Sequence, residues 1–83
     1  MNMIEQLKVI SNAAQANEQA QARTAIENAK RILKDQKNLE SNDLRQLDQE
    51  LSVWLSKLDV IFQEPVGRQG LARHTDHWIQ KLS

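Results

Sequence analysis

The sequence predicts an all-α fold, a small helical bundle of three helices, on three observations. Across residues 42–64, Leu44, Leu47, Leu51, Trp54, Leu58 and Ile61 recur in steps of three and four, which sets them in one helical stripe that Leu55 and Phe62 widen. Residues 2 to about 38 hold no glycine or proline and are rich in Ala, Gln, Glu, Lys and Arg, which favour helix intrinsically. The one proline and both glycines sit together at residues 65–70. A connection is expected there, before a last helical pattern.

In chain order, the first helix is expected over about 3–38. Met3, Leu7, Ile10 and Ala14 form one stripe; Ala22, Ile26, Ala29 and Leu33 form another, with Ala25 and Ile32 beside it. At 100° per residue the second stripe is rotated by roughly a quarter turn from the first. Residues 15–21 between them carry no large apolar side chain. One helix that changes packing partner midway is the favoured reading; a break with Asn12 or Asn17 as N-cap is the other.

Residues 37–42 make the first turn, where Ser41 or Asn42 can cap the second helix and Asp43 suits its positive end. That helix runs over about 42–64 and stops before Pro65, which disfavours helical geometry in its predecessor. Residues 65–70 are expected as a loop. A short helix over about 71–82 follows on Leu71, Thr75, Trp78 and Leu82, with Ile79 alongside.

A continuous first helix would be roughly 54 Å long against roughly 34 Å for the second, at about 1.5 Å per residue. The last helix, roughly 18 Å, would then cover the remaining N-terminal part, Trp78 against Leu7 and Ile10. A helical-hairpin dimer is the competing arrangement, with the stripe of residues 44–61 covered by a second chain.

The chain of 83 residues has ten leucines and 40% hydrophobic content, enough for a single domain over 1–83 with a modest core. Eleven basic and eleven acidic residues cancel, which removes an overall electrostatic case for nucleic acid or an anionic membrane. Charge is segregated locally: residues 23–37 hold five basic and two acidic side chains, residues 38–64 two basic and six acidic. Antiparallel neighbours of opposite charge would pair internally. Without cysteine there is no disulfide and no thiolate metal site. No signal-like segment and no run of roughly 18 apolar residues is present. A cytoplasmic location and, from Met1, a complete short reading frame are expected.

Several residues invite a chemical reading. His74, Asp76 and His77 could suggest a metal, but zinc needs three or four ligands and the other carboxylates lie on a different helix. A solvated histidine pair near a helix C-terminus explains them, and no metal or cofactor is expected. Residues 67–70, Gly-Arg-Gln-Gly, lack the strand and lysine of a phosphate-binding loop; a connector needing positive φ explains both glycines. Arg68 and the four-spaced Arg73, His77 and Lys81 form a small basic patch. Lys30, Lys34 and Lys37, preceded by Arg23, line another face, yet no aromatic residue is interleaved and the next helix is acidic. No catalytic constellation can be identified from spacing, so an enzyme is not expected.

These readings point to a cytoplasmic, non-enzymatic protein-protein interaction module: a small regulator, inhibitor, adaptor or secretion-type chaperone. Its partner would be a protein with an acidic or helical surface, no membrane being involved. The expected partner-binding residues are Val66, Arg68, Gln69, Arg73 and His77, with Val53 and Val60 as a second surface, and Ala13, Ala16 and Ala20 allowing close approach. The alternatives are a nucleic-acid-associated hairpin dimer using Arg23, Lys30, Lys34 and Lys37, and a structural self-assembling subunit.

Overall fold

Asn2 caps the first helix: its backbone is extended (φ −111°, ψ 137°) and its Oδ1 accepts the Ile4 N–H at 2.8 Å. In this computed structural model, which describes residues 2–35 and 42–83, five helices follow in order. They are α1 (Met3–Gln15), α2 (Gln19–Asp35), α3 (Asn42–Ser56), α4 (Leu58–Gln63) and α5 (Pro65–Leu82). Among the described residues the fold is all-α, as expected, but with five helices rather than three.

The continuous first helix is the largest correction. Asn17 sits in the left-handed region at φ 56°, the Glu18 N–H bonds the Ala13 carbonyl at 2.8 Å and the Asn17 N–H bonds that of Ala14 at 3.4 Å. Those two backward bonds satisfy the last carbonyls of α1, and asparagine is the residue after glycine that best tolerates this conformation. Asn17 therefore ends α1 instead of capping α2. A helix of roughly 54 Å also exceeds the longest dimension of the molecule, 36 Å.

The expected loop at 65–70 is helical as well. Glu64 alone forms the corner, extended at φ −130°, ψ 148°, and Pro65 opens α5 at its first turn, where its missing N–H costs nothing. Neither glycine has a positive φ. Gly67 serves a close approach instead, since a Cβ there would overlap the Ile61 carbonyl oxygen. The second expected helix is interrupted only at Lys57 (φ −108°, ψ 15°), where Lys57 N–H to Val53 and Ile61 N–H to Lys57 bonds carry the ladder through. Asn42 is the first residue of α3; Ser41 and Lys37 lie outside the described residues.

Polar contacts fix how the helices run. Gln6 meets Asn28 beyond the Asn17 turn, so α2 returns antiparallel along α1. Lys30 reaches Asp48 while Arg23 and Gln19 reach Asp59, so α3 and α4 run antiparallel to α2. Ser11 bonds Asp76, and α5 packs along α1, where the last helix was expected to lie; it runs antiparallel to α1. One buried cluster draws on all five helices and includes Leu7, Ile10, Ile26, Leu33, Leu47, Leu51, Leu58 and Trp78. The stripe begun at Leu44 is thus covered by the chain's own helices. Each fully buried leucine or isoleucine contributes about 1.5–3 kcal/mol to that packing.

Candidate functional site

Small residues let some helix pairs close up while bulky ones hold another apart. Ala13 and Ala14 on α1 with Ala22, Ala25 and Ala29 on α2 are buried, and Ala72 on α5 lies against the same core. The expected small-residue surface for a partner therefore does not exist as one face: Ala13 is inside, while Ala16 and Ala20 are exposed on either side of the Asn17 turn. In contrast α3 contributes Leu47, Leu51 and Trp54, and α5 contributes Trp78, so these two helices stand apart where α1 and α5 meet closely. Between them lies a groove of about 480 Å³ lined by Gln46, Gln49, Glu50, Val53, Trp54, His74, His77 and Trp78.

The groove is held by contacts on its inner side. Trp78 Nε1 donates to Glu50 at 3.3 Å, Lys81 Nζ sits 5.1 Å above the Trp78 ring, and the same ammonium pairs with Asp43 at 3.3 Å. The His77 ring meets Trp78 edge-on, 6.5 Å between centroids. A cation over an indole face is attracted by its quadrupole. Lys81 thus belongs to the α3–α5 contact and does not extend the outer patch with Arg73 and His77, both exposed.

The residues singled out from sequence separate into distinct places. Val53 and His77 share the groove. Val66, Gln69, Arg73 and His77 recur at helical spacing along the exposed side of α5. Arg68 points elsewhere: it is half-buried, and its Nη1 donates at 2.9 Å to the Phe62 carbonyl, satisfying the C-terminal end of α4. With Gln69 it borders a small cleft of about 130 Å³ beside Ala14, Gln15 and Pro65. Val60 is 65% exposed on α4 and lies outside the groove lining.

Asp76 and the histidines point to different neighbours: Asp76 accepts from Ser11 on α1 at 2.8 Å, while His74 and His77 face α3. Among the described residues no three His, Cys, Asp or Glu side chains are placed to hold a metal ion. The basic face of α2 is partly engaged: Arg23 lies 3.5 Å from Asp59 and Lys30 lies 3.6 Å from Asp48 and also bonds Ser52. Internal pairing of the segregated charges is what is found there.

Sequence reasoning missed Val9, 40% exposed beside a shallow α1–α2 groove of about 330 Å³ that also includes Gln6, Thr24 and Asn28. Its signal was present, since Val9 falls outside the stripe of Met3, Leu7, Ile10 and Ala14. Among the described residues no helix is long and apolar enough to cross a membrane. Comparison with protein-family models, with curated proteins and with solved structures finds no match to this chain.

Proposed function

We propose that this chain is a non-enzymatic helical module that works by binding another protein, in the manner of a small regulator, inhibitor, adaptor or secretion-type chaperone. The observation that carries the reading is the exposure of valine. Val53, Val60 and Val66 are 49%, 65% and 69% exposed, although the core beneath them is closed by leucines, tryptophans and alanines. Aliphatic side chains left on the surface of a fold that already has a core gain free energy when a partner covers them. Their neighbours on the same helices, Gln49, Gln69, Arg73 and His77, supply the polar rim that such contacts use.

The reading is tested by site-specific photo-cross-linking of the full chain in its native host, with the photoreactive residue placed in turn at positions 53, 60 and 66. A covalent adduct with another polypeptide is expected from at least one, and none from exposed Glu27 on α2. Absence of any adduct from all three positions would refute it.

A further inference from the structure

Only Ala16, Asn17 and Glu18 separate α1 from α2, all three exposed, and the reversal depends on the left-handed backbone of Asn17. The side chains around it favour helix. Residues 13–24 hold five alanines and neither glycine nor proline, a composition of high intrinsic helix propensity. Straightened at Asn17, residues 3–35 would make one helix of roughly 50 Å. The closed molecule is 36 Å in its longest dimension. Straightening therefore carries α1 off both α2 and α5, on which it packs, and bares Leu7, Ile10, Ala13 and Ala14, all buried in the closed chain. The surface that fits those side chains is the one they left, and a second copy of the chain presents the same surface.

We propose that the α1–α2 turn is a hinge whose straightening exchanges α1 between two copies of the chain, each α1 packing on the α2 and α5 of the other copy. Such an exchange keeps every contact of α1 and changes only the hinge. There Asn17 leaves the left-handed region, and the N–H groups of Gln19, Ala20 and Gln21, which open α2, gain the carbonyls of Gln15, Ala16 and Asn17 four residues back. The entropy of joining two chains opposes the exchange, so the closed monomer prevails in dilute solution. Leu7 and Ile10 must leave the core before the hinge opens, so exchange accompanies refolding and the natively folded chain stays monomeric. In the straightened helix Ala13, Ala16 and Ala20 fall at steps of three and four on one face, where two such helices cross closely. Glu18 is the only charged residue of 15–21, so repulsion at that crossing is small. Val53, Val60 and Val66 lie on helices that do not open, and the exchange goes beyond the interaction reading without depending on it.

The full chain and its Asn17→Ala and Asn17→Gly variants are unfolded in guanidinium chloride, refolded at micromolar or at millimolar concentration, and separated by size with the mass read by light scattering. Refolding at millimolar concentration should yield a fraction of twice 9.6 kDa that micromolar refolding lacks. Asn17→Ala disfavours the left-handed turn and favours helix, by about tenfold for each chain, and should raise the dimerisation constant about a hundredfold. Asn17→Gly, at ease in the left-handed region and poor in helix, should lower it. Position 17 is exposed, so both variants should fold, as circular dichroism checks. Exchange is told from side-by-side association by a thiol pair, since the chain has no cysteine of its own. Ser11 Oγ and Asp76 Oδ1 lie 2.8 Å apart across α1 and α5, so Ser11→Cys with Asp76→Cys should oxidise within one chain in the monomer and between chains in the dimer. Gln6→Cys with Asn28→Cys repeats the test across α1 and α2, where the natural side chains bond at 3.4 Å. No dimer from any chain at millimolar concentration, a dimer whose thiols close within each chain, or Asn17→Gly dimerising as readily as Asn17→Ala would each overturn the proposal.

Discussion

Asn17 carries a chain reversal with a single left-handed residue, the one non-glycine with positive φ among the described residues. A left-handed conformation costs an ordinary L-residue about 1–2 kcal/mol and asparagine less. Asn17→Ala is expected to lower stability by about 1 kcal/mol, a fall in Tm of about 4–8 °C for a chain of this size, while Asn17→Gly should hold or raise it. Thermal melts of the two variants check the sign. The two glycines of α5 should respond oppositely to the same change. Gly67→Ala presses a methyl onto the Ile61 carbonyl and should destabilise, because backbone must move. At Gly70 no atom lies within 4 Å of an added Cβ, so Gly70→Ala should stabilise by about 0.5–1 kcal/mol through helix propensity. Identical melts for the two variants would contradict the close approach of α5 to the end of α4.

At the scale of elements, α5 depends on Trp78. The residue is 2% exposed, its Nε1 reaches Glu50 on α3, and Lys81 covers a face of its ring. Trp78→Ala should cost about 3–5 kcal/mol through lost contacts and a cavity. An unchanged Tm would refute the packing of α5 described above. The ion pairs between α2 and its acidic neighbours carry far less. Arg23 and Asp59 have side chains 45% and 79% exposed, so solvent and salt screen them, and an exposed pair is typically worth about 0–1 kcal/mol. Charge segregation selects which helices lie side by side; apolar burial holds them.

For the whole molecule, closure of the core within one chain has a measurable consequence. Leu47, Leu51 and Leu58 are fully buried without a second copy, so the absolute mass by light scattering should stay at 9.6 kDa across a hundredfold concentration range. A stable dimer would mean that the exposed valines already meet between chains. The open α3–α5 groove would then be the first surface to examine by mutation.

Helix identity and the buried faces were legible in the sequence, because 3.6-residue periodicity records which side of each segment meets other apolar groups: Leu7, Ile10, Ala14, Ala22, Ile26, Ala29 and Leu33 are all buried. The exposure of Val53 and Val60 was legible for the same reason, both lying off the stripe. The corner before Pro65 was legible too, with α4 ending at Gln63 and Glu64 extended; the turn inside the first expected helix was not. A long glycine-free, alanine-rich run has no local feature that forbids helix at Asn17; the break there has a left-handed residue whose cost is offset only when α2 packs back on α1. Proline followed by two glycines resembles a loop, yet proline is tolerated in a first helical turn and each glycine costs about 1 kcal/mol, which burial along α1 outweighs. The sequence by itself determined the composition of each face. The number of helices, the turning of Arg68 inward to Phe62, and the opening between α3 and α5 were decided by tertiary packing, since side-chain volume and chain direction act only once separated segments touch.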